Sequence, residues 1–198
     1  MQKKWLERTE LLIKKQGIEK LQNANILLVG LGGVGSFAAE FLARSGVGRM
    51  TIVDGDTVDI TNINRQLPAL HSTVGMSKVE VVSERLLDIN PELQLTKINE
   101  FLNPERMAEV IGAEKFDYIL DCIDSVTPKL ALIITAKRKK IKIVSCMGAG
   151  GKMDPSKVMV RDISKTYNCF LAKNVRKRLK KEQINKGIRC VFSNEIQN

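Results

Sequence analysis

The chain has 198 residues, 43% of them hydrophobic and 27% charged, which suits one compact core with at most a small appendage. No apolar run reaches the length of a membrane span, and Met1–Glu7 lacks the apolar core of a signal peptide, so membrane insertion and secretion are set aside and a cytoplasmic protein is expected. Cys122, Cys146, Cys169 and Cys190 form no CxxC pair, which argues against structural zinc and a disulfide framework, while the net charge of +10 points to a polyphosphate partner.

In chain order, residues 7–22 read as a helix with a break near Gly17. Residues 25–29 form a brief apolar run ending at a glycine, which suits a buried parallel strand. A helix comes next over 36–45, stopped by Gly46 and Gly48, and then a strand over 50–53 that ends at Asp54. A helix over 77–87, a strand over 93–98 and a short helix over 104–111 continue the series. The strand 118–121, the helix 128–139 and the strand 141–145 complete the regular pattern. Beyond Gly148 the pattern weakens to a short strand at 158–160 and a basic helix over 171–181. Strands that alternate with helices predict an α/β fold with a doubly wound, mostly parallel sheet, because parallel strands need crossovers.

Gly30-Leu31-Gly32-Gly33-Val34-Gly35 stands between a strand and a helix. Its glycines permit a tight turn and close backbone approach to a phosphate chain, and the helix N-terminus supplies amide donors. Asp54 closes the next strand, where an acid commonly bonds ribose hydroxyls. These features fit a nicotinamide enzyme as well as an ATP enzyme. Three residues beyond Asp54 separate the two. Arg65 and Lys78 can neutralise a triphosphate and Asp124 can hold magnesium, a set suited to attack on the α-phosphate with pyrophosphate leaving. A hydride-transfer enzyme has no use for it. Each residue also has a plainer reading: Arg65 paired to a carboxylate, Lys78 as a surface residue opening a helix, Asp124 as a helix cap.

From about Arg8 to Val144 the chain resembles the superfamily of ubiquitin-activating enzymes, molybdopterin-synthase adenylyltransferases and thiazole-pathway adenylyltransferases. The likeness rests on the glycine turn, Asp54-Gly55-Asp56, Asn62-Ile63-Asn64-Arg65-Gln66, Val74-Gly75-Met76-Ser77-Lys78 and Asp121-Cys122-Ile123-Asp124. It implies ATP and magnesium, and leaves room for a monovalent cation. It implies that Gly30, Gly32, Gly33 and Gly35 cradle the phosphates and that Asp54 binds ribose. Asp56, Asn62, Arg65, Gln66, Lys78 and Ser125 would line the nucleotide site, and Asp124 would carry magnesium. It also implies a homodimer in which Arg8 completes the partner's site. The expected segments are a helical arm at 1–24, a Rossmann-like ATP-binding adenylation domain at 25–160 and a basic, partly helical segment at 161–198.

The sulfur-carrier branch usually holds zinc in two CxxC pairs, which this chain lacks. Asp124-Ser125-Val126-Thr127-Pro128-Lys129, Gly148–Pro155, Asp162-Ile163-Ser164-Lys165-Thr166, Val175–Lys180 and Cys190–Glu195 instead resemble the tRNA threonylcarbamoyladenosine dehydratases. That resemblance implies adenylation of the threonyl carboxylate of the modified adenosine, then closure to an oxazolone. The alternative is an adenylyltransferase that activates the C-terminus of a ubiquitin-like sulfur carrier. Arg176, Lys177, Arg178, Lys180 and Lys181 would, in a dehydratase, lie along tRNA phosphates. Two features depart from the family: Cys169-Phe170 stands where Asp-Pro is common, and the family usually continues past the position of Asn198. Cys190 reads as a small buried residue rather than a thioester nucleophile and Cys122 as core, while Cys146 and Cys169 show no partner spacing. His71 reads as a loop residue.

Overall fold

Asn25–Val29 (β1) is buried at every position, the mark of a parallel strand with no face left to water. The computed structural model describes residues 4–196. They divide into two compact units, the first ending at Phe101 and the second beginning at Leu102.

The first unit contains α1 (Glu7–Asn23), β1, α2 (Gly35–Arg44), β2 (Arg49–Val53), α3 (Lys78–Ile89) and β3 (Gln94–Ile98). Its strands lie in the order β3-β2-β1, and both pairings are parallel. Leu27, Leu28 and Ile52 have no exposed surface, and Ala39, Val79 and Leu86 pack from α2 and α3. The α1 break falls at Lys14, whose backbone is left-handed (φ 63°), rather than at Gly17. Gly17 serves close contact instead, since a β-carbon there would lie 2.7 Å from that of Ile13.

The second unit contains α4 (Pro104–Ala113), β4 (Tyr118–Asp121), α5 (Val126–Arg138), β5 (Lys142–Cys146), β6 (Val158–Asp162), α6 (Phe170–Lys181) and β7 (Arg189–Ser193). The strand order is β4-β5-β7-β6, with only β6 antiparallel. The α/β class and the mostly parallel strands are as expected. β7 is not marked in the sequence pattern, yet it pairs with both β5 and β6. α5 begins two residues ahead of Pro128, which its first turn accommodates because no helical N–H is needed there. α6 buries Ala172, Val175 and Leu179, each with no exposed surface, and turns its lysines outward. Burying Leu179 alone stabilises by about 2 kcal/mol. Among the described residues no helix is long and apolar enough to cross a membrane.

The α2–β2 connection is sealed against the end of α1. Gly48 donates to the Leu21 carbonyl at 3.1 Å, and a β-carbon at Gly48 would sit 1.8 Å from the Gln22 carbonyl oxygen. Backbone cannot yield there as a side chain can. Gly48→Ala is expected to cost about 3 kcal/mol in thermal or urea unfolding.

Candidate active site

In the first unit, β1 delivers the chain into the glycine turn and α2 leaves it. Gly30 adopts a left-handed conformation (φ 94°) and donates to the Val53 carbonyl at 2.8 Å. Leu31 N–H donates to Asp54 Oδ2 at 2.6 Å, and Asp56 N–H donates to Asp54 Oδ1 at 2.8 Å. Asp54 therefore fastens the turn to the end of β2, and each of its oxygens keeps a lone pair for another donor. At the start of α2, Ser36 N–H donates to the Gly32 carbonyl at 3.2 Å and Ala38 N–H to the Val34 carbonyl at 3.0 Å, so the helix grows directly out of the glycine turn, with Val34 exposed beside it.

Residues 59–66 close over this turn. Asn62 is buried; its Oδ1 accepts from Asp59 N–H at 3.2 Å, and its carbonyl accepts from the amides of Arg65 and Gln66. A β-carbon at Gly33 would lie 3.3 Å from the Arg65 carbonyl oxygen, and one at Gly32 would lie 3.7 Å from Gln66 Nε2. The two glycines thus give backbone room where Arg65 and Gln66 pass. Gln66 Oε1 is buried and has no hydrogen-bond partner. A buried orphan acceptor costs about 1–3 kcal/mol and calls for an incoming donor.

Arg65 is exposed, and Nη1 donates only to the Thr61 carbonyl and Asn64 Oδ1. No carboxylate among the described residues pairs with it, so the plainer reading of Arg65 falls away. Lys78 opens α3, yet it is buried rather than a surface residue. Its ammonium sits 2.8 Å from Asp56 Oδ2, and its own N–H donates to the Asp56 carbonyl. Asp56 is half exposed, so this buried cation faces a carboxylate that solvent or a ligand can reach.

In the second unit, Asp124 and Ser125 are exposed between β4 and α5. Ser125 is the N-cap residue but makes no side-chain cap bond. The cap role considered for Asp124 is therefore absent, and its carboxylate stands open ahead of a helix N-terminus.

Behind it lies a network that the sequence pattern does not reveal. Lys129 and Asp121 have no exposed surface and pair at 2.7 Å. Lys129 Nζ also donates to the Cys146 carbonyl at 2.9 Å and to Ser145 Oγ at 3.3 Å. Ser145 Oγ donates to Asp121 Oδ2 at 2.5 Å. Burial pushes the Asp121 carboxyl up, with Lys129 and Ser145 acting against it. The available signal was position, because Lys129 falls in the buried stripe of α5 with Leu132, Ile133 and Ala136. Cys146, at the end of β5, is electrostatically linked to Cys122, the residue that follows β4, a relation that chain spacing does not show. The Cys122 hydrogen bond, against burial, holds the Cys146 thiol below its ordinary range. Cys190 is buried, and burial pushes its thiol up to about 12, which suits a core residue.

Lys177, Arg178, Lys180 and Lys181 are exposed on α6. Arg176 is turned inward, where Nη1 donates to the carbonyl and hydroxyl of Thr166. Arg8 is exposed in the first turn of α1, near the exposed Leu11 and Leu12.

A model described as the ThiF family matches residues 6–192. The tRNA threonylcarbamoyladenosine dehydratase of Bacillus subtilis is 46% identical over 95% of this chain and 74% of its own length. The molybdopterin-synthase adenylyltransferase of Escherichia coli is more distant, 38% identical over 70% of this chain and 54% of its own. Among solved structures, E. coli tRNA N6-threonylcarbamoyladenosine dehydratase in complex with ATP superposes with a TM-score of 0.91 at 42% identity, covering 96% of this chain and 81% of that one. The same enzyme has also been solved with AMP.

Proposed function

Because the chain belongs to the ThiF family, we propose that it is an ATP-dependent dehydratase of threonylcarbamoyladenosine in tRNA. The observation that carries this reading is the 46% identity to the B. subtilis dehydratase across 95% of the chain. It is joined by a turn where Gly32 and Gly33 lie against Gln66 and Arg65.

The residues fit a nucleotide. The orphan Gln66 Oε1 asks for a donor, and the absence of a side chain at Gly33 lets Arg65 lie directly against the glycine turn. Asp54 keeps acceptor capacity for ribose, and Asn62 holds the 59–66 turn in place. ATP, when bound, supplies the adenylyl group that makes the threonyl carboxylate an electrophile, so that ring closure to the oxazolone releases AMP. The chain's part is to bind, orient and neutralise. Arg65 and Lys78 meet phosphate charge, with Lys78 exchanging Asp56 for a phosphate oxygen. Asp124 would hold magnesium, which would help neutralise the triphosphate, since this ion is commonly held by only one or two carboxylates, and Ser125 would line the nucleotide site beside it. No protein nucleophile is required, because the attacking oxygen belongs to the same substrate molecule and proximity drives closure. Among the described residues no cluster of three or more ligating side chains marks a place for a further metal ion.

Arg8 would complete the site of a second copy, with Leu11 and Leu12 beside it as apolar contact for a homodimer. The exposed cations of α6 would follow tRNA phosphates while Arg176 fixes the helix to Thr166. A tRNA substrate is the reason to place the protein in the cytoplasm.

The test is mass spectrometry of nucleosides from modified tRNA incubated with the protein, ATP and magnesium. The modified adenosine is expected to lose one water, with AMP and pyrophosphate released. No loss of water, with pyrophosphate exchange driven instead by the C-terminal glycine of a ubiquitin-like carrier, would sink this reading.

A further inference from the structure

The second unit carries an open concavity of about 550 Å³ that no part of the nucleotide site uses. Sheet register builds it. Tyr118 pairs with Lys142, and Arg189 pairs with Val144 on one side and Asp162 on the other. Lys142 and Val144 are two residues apart, so Tyr118, Lys142 and Arg189 project from one face. Arg161 on β6 and Lys165 in the turn after it supply two more cations. Tyr118, Lys142 and Arg189 each begin their strands, whereas Asp124 lies past the end of β4. The concavity therefore lies at the opposite end of this unit's parallel strands from Asp124.

Four cations thus share a wall with one acid, Asp162, and that acid is engaged. Its Oδ1 accepts from the amide and hydroxyl of Ser164 at 3.0 and 2.7 Å, and its Oδ2 accepts from the amides of Gly187 and Ile188 at 2.7 and 3.2 Å. Burial works to raise its carboxyl, and these hydrogen bonds outweigh it and keep the group ionised. Its job is to hold the 162–188 crossing together.

Nearby cations with structural duties look different. Lys137 donates to the Gly187 carbonyl, and Arg138 pairs with Glu182 at 2.9 Å. Both sit at the end of α5, where cations satisfy helix carbonyls. Lys142, Lys165 and Arg189 have no acidic partner among the described residues, and Arg161 reaches only the neighbouring carbonyl of Val160. Exposed cations gathered in a concave wall raise the local anion concentration without stabilising the fold. The openness of the wall, and its spread across four strands and a turn, suit a phosphate chain rather than one enclosed ion.

We propose that this concavity binds the ribose-phosphate backbone of the RNA substrate, away from the reacting nucleotide. The proposal rests on the tRNA reading of the function. The concavity supplies affinity rather than chemistry.

The experiment compares the full chain with a Lys142→Ala/Lys165→Ala/Arg189→Ala variant and with a charge-matched Lys15→Ala/Lys20→Ala/Lys157→Ala variant. All six side chains are exposed, so an unchanged melting temperature is expected for both. Filter binding with an unmodified tRNA transcript across a salt series should show the Kd rising about tenfold or more for the cavity variant only. The slope of log Kd against log salt should fall by about 2–3, near 0.7–0.9 per lost phosphate contact. With modified tRNA, KM should rise with kcat unchanged. Wild-type dehydration alongside an unaltered Kd and salt slope in the cavity variant would overturn the proposal and leave the function standing. So would a change of oligomeric state in sedimentation with tRNA affinity intact, which would make the concavity a subunit contact. Cavity-dependent tRNA binding by a wild-type chain that removes no water would retain the site and remove the dehydratase reading.

Discussion

Lys129→Met is expected to lower the unfolding free energy by about 3–5 kcal/mol, read as a lower urea midpoint with the m-value unchanged. Lys129 and Asp121 have no exposed surface, and the ammonium is also tied to Ser145 and to the Cys146 carbonyl. Removing the cation leaves the Asp121 carboxylate in a low-dielectric core with only Ser145 and the Ile123 amide as donors. The double variant Lys129→Met/Asp121→Leu should recover much of the loss, because an uncompensated charge is worse than a hydrophobic pair. The coupling from the double-mutant cycle should exceed about 1 kcal/mol. A single-variant loss below that size would show that the pair does not brace the end of β4. Weakened ATP turnover should accompany the loss, since the braced strand end leads directly to Asp124.

Arg65→Ala is expected to reduce turnover by about 100- to 1,000-fold while unfolding changes by no more than about 0.5 kcal/mol. The guanidinium is exposed and holds only a carbonyl and an asparagine side chain, so the folded chain loses little. The backbone that Gly33 needs beside it is kept by alanine, because the close contact there is with the Arg65 carbonyl. The effect therefore isolates the charge. Steady-state ATP consumption with modified tRNA, measured beside a melting curve, decides it. A large fall in melting temperature with the rate intact would contradict a role in meeting phosphate charge.

The parts of the fold that sequence makes legible are those where one local rule governs. The turn from Gly30 to Gly35 needs glycine for backbone reasons, and β1 throughout and β2 from Met50 onward are buried, which an apolar run signals. Lys78 was legible as a functional candidate, but its burial against Asp56 was not, since that depends on the Thr57–Ser77 bridge that folds the two segments together. The Cys122–Cys146 contact required knowing that β4 and β5 pair in a register that sets Asp121 beside Ser145. Chain spacing carries no such information. Arg176 reads like its basic neighbours until α6 is docked on the Thr166 turn. β7 escaped because Arg189–Ser193 is short and begins and ends on polar residues, and its strand character comes from neighbours on both sides.

The late place of β7 in the chain bears on biosynthesis. β5 and β6 are not bonded to each other; each must wait for Arg189–Ser193, which leaves the ribosome after both. Until then the nascent second unit presents two unzipped β margins, a state prone to sticking to other chains. Closing the gap demands contacts between distant stretches of polypeptide, which slows the final zippering. Arresting translation before Arg189 should therefore yield a chain whose first unit resists protease while its second is digested.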